Sequence, residues 1–216
     1  MNTQKGACGG INILQVKEIY LKNIRFPKIV FIFGNIGKIR RYKTIHLLLE
    51  AFKCLKQGLT LGNVKLIIAG DPSEDPNYLK ELLTIVRKEE SLHGDVIVIP
   101  RYVDDNVISS LVSATNVGVF PYNRVTTPSA ALLFLSYGKP IVVSRLKATE
   151  EYCSEGSLLF DPQNISDLTD KMLTLPKNNN LYRKLSNAAK SYMQRSSWED
   201  IISGLYKIYE RFNRED

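Results

Sequence analysis

A chain of 216 residues with 44% hydrophobic side chains can bury a sizeable core and suits one large domain better than several. Twenty-nine Lys and Arg against 22 Asp and Glu give a formal charge of +7, which favours anionic partners; without an arginine-rich run or a recognisable motif, no nucleic-acid partner is expected. Three cysteines without CxxC spacing, Cys8, Cys54 and Cys153, argue against a disulfide framework or zinc site and fit a reducing compartment; with no early apolar run of signal-peptide or membrane-span length, the chain reads as cytoplasmic.

Residues 1–27 are weakly patterned and read as a lead-in segment, with residues 28–216 as one domain. From Lys28 onward, short β-branched runs alternate with longer amphipathic stretches, the pattern of βαβ units building a parallel sheet. Strands are expected at Ile29 to Gly34, Val64 to Gly70, Val96 to Pro100, Val117 to Phe120, Pro140 to Ser144 and Ser157 to Phe160. The spacing of Ile45, Leu48, Leu49 and Phe52 predicts a helix over Thr44 to Lys56, and that of Leu79, Leu82, Leu83 and Val86 one over Asn77 to Leu92. Asp104 and Asp105 start another. Further on, Asn164 and Ser197 resemble caps for helices Ile165 to Leu175 and Trp198 to Phe212, with a helix Leu181 to Arg195 between them and a loop at Pro176 to Asn180. The fold class is therefore α/β, a doubly wound, Rossmann-like parallel sheet of about six strands. Ligands of such sheets lie at the carboxyl ends of the strands, near the topological switch.

That rule selects the loops that carry chemistry. After the first strand, Gly34 would permit close backbone approach, and Lys38, Arg40, Arg41 and Lys43 offer charged donors to phosphate oxygens. A solvated basic turn is the bland alternative for this loop alone. After Val119-Phe120-Pro121-Tyr122, the segment Asn123 to Thr127 leads into a helix opened by Pro128-Ser129, so Thr126, Thr127 and Ser129 stand with free N–H groups at a helix start, where an anion is stabilised. Thr127 as N-cap and Pro128 as first helical residue would explain much of it by helix initiation alone. Asp71, in Ala69-Gly70-Asp71-Pro72, and Tyr102 and Val103, after the third strand, fall on the same edge, where the latter backbone could meet a base. Tyr122 and Asn123 are candidate pocket residues, with core packing an equally good account of the tyrosine. His46 and His93 lack metal-ligand partners at suitable spacing, and no Walker A, GxGxxG or Ser-His-Asp signature is present.

Taken in order, Phe33-Gly34-Asn35-Ile36 through Arg41-Tyr42-Lys43, Leu48-Leu49-Glu50-Ala51-Phe52, Leu66 to Asp71, Tyr137-Gly138-Lys139-Pro140-Ile141-Val142, Phe160-Asp161-Pro162 and Ser196-Ser197-Trp198 resemble the group 1 glycosyltransferases over about residues 28–212. The resemblance implies the C-terminal, donor-binding half of a two-domain, metal-independent retaining enzyme that uses a UDP-, GDP- or ADP-sugar and no separate cofactor. It implies that Lys43, with Arg40 or Arg41, neutralises the diphosphate leaving group. It also implies a glycan or lipid-linked acceptor, polysaccharide biosynthesis as a setting, and a location free in the cytoplasm or peripheral at a membrane. Two departures stand out. The family's usual glutamates, eight positions apart before Gly-Lys-Pro, would fall on Val125 and Leu133. The N-terminal acceptor-binding domain is missing, which leaves open a separate acceptor-domain protein, a fragment, or a non-catalytic nucleotide-sugar-binding or regulatory remnant.

Overall fold

The computed structural model describes residues 30–58, 64–196 and 198–212. The lead-in segment, the expected strand start at Ile29 and the expected cap at Ser197 lie outside them. Six strands form one parallel sheet: β1 (Phe31–Ile36), β2 (Val64–Ala69), β3 (Val96–Ile99), β4 (Val117–Phe120), β5 (Ile141–Ser144) and β6 (Ser157–Phe160), in the order β3-β2-β1-β4-β5-β6. The order reverses between β1 and β4, so the loops leaving these two strands flank the switch point.

Strand residues alternate between two cores, as they must in a sheet covered on both faces. Phe33, Leu66, Ile68, Val117, Val119 and Val142 face α1 (Ile45–Gly58), α2 (Pro76–Lys88) and, further along the chain, Ile165–Lys177. Ile36, Ile67, Ala69, Ile99, Phe120, Ile141 and Val143 face α3 (Asp105–Ala114) and α4 (Ser129–Ser136). A short α5 (Lys147–Tyr152) precedes β6, and α6 (Ile165–Lys177), α7 (Asn179–Arg195) and α8 (Trp198–Phe212) are the last elements of the described residues. Two caps, Asp104 and Asn164, are the expected ones, and Asp75 and Asn178 join them. Asp75, Asp104, Asn164 and Asn178 each accept a backbone N–H three residues on, at 2.9–3.1 Å. In α7, Tyr182 donates to Asn116 O at 3.2 Å and Ser186 to Gly138 O at 2.7 Å, fastening the helix beneath the amino ends of the strands.

Several boundaries differ from expectation. Asn35 and Ile36 are strand residues, not loop: they pair in register with Ile68 and Ala69, and the Asn35 amide satisfies its burial by donating to Val119 O at 2.7 Å. The helix from Pro76 stops at Lys88, and a one-turn 3-10 helix, Glu90–Leu92, completes the expected segment. Pro176 lies inside the last turn of α6, so the expected loop shrinks to Asn178. Helix α5 is an element the apolar pattern did not foretell; it begins where Thr149 Oγ1 accepts the Leu146 N–H at 2.9 Å.

At the switch point Gly34 and Gly118 are register partners on β1 and β4. A Cβ on Gly118 would stand 2.6 Å from the Phe134 ring, and one on Gly34 would stand 3.1 Å from it and 2.7 Å from Thr115 Cγ2. The two glycines thus form a slot for the α4 aromatic ring, which also meets Phe120 edge-on at 5.3 Å. Gly34 is accordingly a packing glycine inside the strand, which corrects its expected part in ligand approach. Gly118→Ala should cost about 1–3 kcal/mol by overpacking this slot. Urea unfolding checks it, and a variant as stable as the parent contradicts the assignment.

Candidate anion site at the carboxyl edge

The loop after β1 is bound to the end of β2 by backbone: Gly37 N–H donates to Ala69 O at 2.8 Å and Ile39 N–H to Asp71 O at 2.9 Å. Gly37 (φ 128°) and Gly70 (φ 156°) meet face to face, and a Cβ on Gly70 would lie 2.0 Å from Gly37 O. Only glycine permits that approach. The chain then makes one 3-10 turn, Arg41–Lys43, and enters α1 through Thr44 in the left-handed region at φ 43°. A β-branched residue there is strained, and its hydroxyl is anchored on Pro121 O of the loop after β4. Asn123 N–H adds a second tie to that loop, donating to Tyr42 O at 2.9 Å.

This turn decides where the four cations go. Arg41 leaves the site: it forms a two-pronged pair with Glu81 of α2 at 2.9 and 2.7 Å and lies over the Tyr78 ring at 4.9 Å. The Tyr78 hydroxyl is itself bonded to the His46 backbone N–H and ring Nδ1, which gives that histidine a structural partner. Lys38 and Arg40 both pair with Glu74, on the turn before α2. Lys43 is 8% exposed and, among the described residues, the one cation of the four without a carboxylate partner. Burial, and then repulsion from Arg40 and Lys38, lower its pKa to about 8.

The ammonium of Lys43 stands beside the start of α4. A Cβ built on Gly37 would lie 2.8 Å from Lys43 Nζ and 3.6 Å from Ala130 Cβ, so one small residue separates the cation from the helix's first turn. The cap of α4 is Pro128, not the expected Thr127, and no side chain caps the helix. Thr127 instead accepts the Ser129 N–H through its carbonyl at 2.9 Å. The N–H groups of Ala130 and Ala131 donate to no group among the described residues, and no acidic side chain occupies the first turn. Unpaired donors, the positive end of the helix and a desolvated ammonium therefore converge on one spot.

The remaining candidates divide. Thr126, Thr127, Ser129 and Asn123 are exposed around α4's start, with Asn123 Oδ1 accepting from Gln163 at 3.1 Å. Asp71 turns inward to Ser73, accepting its N–H and hydroxyl at 2.9 and 2.7 Å, which holds its carboxyl below the usual range. Tyr102 stands 76% exposed on the turn after β3. Val103 and Tyr122 are core residues: Tyr122 stacks on Phe120 at 5.7 Å, and burial pushes its hydroxyl pKa upward. These two position backbone and offer no surface to a pocket. Val125 and Leu133 are half-buried apolar residues packed on the second core. Sequence reasoning placed free N–H groups at this helix start without naming Ala130 and Ala131, and it passed over Gly37 and Glu74. Only Gly37, a glycine directly after a strand, carries a local signal.

The chain is 27% identical over 187 residues to a D-inositol 3-phosphate glycosyltransferase of Corynebacterium urealyticum, a match covering 82% of this chain and 42% of the relative. It is 30% identical over 81 residues to an uncharacterized glycosyltransferase of Methanocaldococcus jannaschii, covering 37% of this chain and 23% of that protein. It thus spans less than half the length of the curated relatives it matches. Among solved structures, the C-terminal domain of a group 1 family glycosyl transferase from Francisella tularensis superposes with TM-score 0.67 at 21% identity, over 76% of this chain and 84% of that one. An Anabaena protein crystallised with UDP and glucose superposes with TM-score 0.73 at 18% identity, over 97% of this chain and 53% of that one. These likenesses establish the fold. The model for group 1 glycosyl transferases matches residues 16–192, and on that match the chain belongs to this family.

Proposed function

We propose that this chain is the donor-binding half of a retaining glycosyltransferase. It holds a nucleotide-diphosphate sugar at the carboxyl edge of the sheet and, with a polypeptide that supplies the acceptor site, transfers the sugar to a glycan or lipid-linked acceptor. The observation that carries this reading is the buried, unpaired Lys43 ammonium beside the uncapped start of α4. A buried cation without a counter-ion is costly, and a bound diphosphate removes that cost. When the bond between sugar and diphosphate breaks, negative charge grows on the leaving phosphate. Lys43 and the Ala130 and Ala131 N–H groups are fixed donors for that charge, already desolvated and needing no rearrangement.

Residues 125 and 133 favour a second reading. Where similar enzymes carry glutamates, this chain has half-buried Val125 and Leu133, which offer no carboxylate to a ribose or a sugar. That suits a domain that binds the nucleotide without turnover. Sugar transfer on adding an acceptor-domain protein separates the two readings.

Calorimetric titration with UDP, GDP, ADP and UMP at fixed salt should show one diphosphate preferred over UMP. Lys43→Met should weaken that binding about tenfold or more, the usual worth of a charge-assisted hydrogen bond. Unchanged binding in the variant removes the reading. The same substitution should have the opposite effect on stability. Lys43 has a folded-state pKa of about 8 against an unfolded value near 10.5, so the unfolded chain holds more protons between them. The cost of burying the charge is therefore full below about pH 8 and fades as pH rises toward 10.5. Without ligand, Lys43→Met should be more stable than the parent at pH 7, on the order of 1–3 kcal/mol, with the gap closing as pH rises. Thermal melts across this range check it.

A further inference from the structure

Glu74 faces the site without any role assigned so far. Its turn is held by hydrogen bonds of its own: Asp71 accepts from Ser73 twice, Asp75 N–H donates to Pro72 O at 2.9 Å, and Asp75 caps α2 through the Tyr78 N–H at 3.1 Å. From it, the Glu74 carboxylate reaches across to the loop after β1 and takes Lys38 with one oxygen and Arg40 with the other. Both cations lie close enough to Lys43 to repel its charge.

We propose that Glu74 is an internal anion that sets donor affinity, because a diphosphate held by Lys43 competes with it for Lys38 and Arg40. This rests on the donor-site reading above. Three observations support exchange over a fixed structural pair. First, the bridge is exposed: the Lys38, Arg40 and Glu74 side chains are 55%, 33% and 43% accessible, the regime in which ion pairs are weak. Second, Arg40 is incompletely used. Its Nη2 meets Glu74 while its Nε is buried without an acceptor, so a second anion could satisfy a donor that Glu74 leaves unpaired. Third, the neighbouring Arg41–Glu81 pair is two-pronged and lies 4.9 Å over the Tyr78 ring, whereas Arg40 meets Glu74 through one nitrogen and stands farther from its own ring, 6.0 Å from the centre of Tyr42. Because Gly37 and Ile39 are tied to β2 through the backbone, the exchange needs side-chain rotation only.

The test is calorimetric titration of the full chain with inorganic pyrophosphate and with UDP, GDP and ADP. It compares the parent with Glu74→Gln, and with Glu81→Gln as a matched loss of one carboxylate. Glu74→Gln should bind pyrophosphate and the preferred nucleotide about three- to tenfold more tightly, the fold-change expected from releasing two exposed ion pairs. Glu81→Gln should bind as the parent does. Binding by the parent with no gain, or a loss, in Glu74→Gln overturns this proposal alone and makes Glu74 an orienting residue. Equal gains in both variants also overturn it, since a general change of charge then suffices. Absence of binding in the parent and both variants overturns it together with the donor-site reading.

Discussion

The close seat of Phe134 in the slot between Gly34 and Gly118 governs much of this molecule. It lets α4 approach the two central strands at the point where the sheet reverses its winding. Any larger residue in the slot would lift the helix and carry its first turn away from the loop after β1. With α4 seated, Ala130 reaches Gly37, Gly37 reaches Lys43, and Gly37 also abuts Gly70 at the end of β2. A packing contact inside the sheet thereby fixes the distance between a helix terminus and an ammonium at its edge.

That edge is organised against local stability. A single turn of 3-10 helix, a left-handed threonine and a buried lysine are each unfavourable on their own. They are held by bonds from outside the loop: Thr44 to Pro121 O, Asn123 N–H to Tyr42 O, and Asn35 to Val119 O. All three join the β1 side of the switch point to the β4 side. Strain and desolvation gathered where two strand ends meet are what a preorganised anion site requires, since donors fixed in advance need no reorganisation when charge appears.

The sheet, its parallel sense and most helices were legible in the sequence because their signals are local. They are β-branched runs of four to six residues, apolar stripes at helical spacing and Asp or Asn caps. The failures have non-local causes. Asn35 and Ile36 read as loop because nothing nearby announces the buried bond to Val119. Tyr122 read equally as pocket or core, and only the ring of Phe120 beneath it decides. By its residues alone the charge run Lys38 to Lys43 read as four phosphate donors, and only the family resemblance singled out Lys43, with Arg40 or Arg41. The difference among them is made by Glu74 and Glu81, more than 30 residues away, which take three of the cations and leave Lys43 alone.

Titration of Lys43 itself, followed by carbon-13 NMR of labelled lysine with the signal assigned by its absence in Lys43→Met, reports on the anion site without any assay of transfer. The expected midpoint lies near pH 8 for the chain alone and rises by about a unit or more when a nucleoside diphosphate is added, as a counter-ion favours the charged form. A midpoint near the ordinary 10.5, unmoved by the nucleotide, would contradict it.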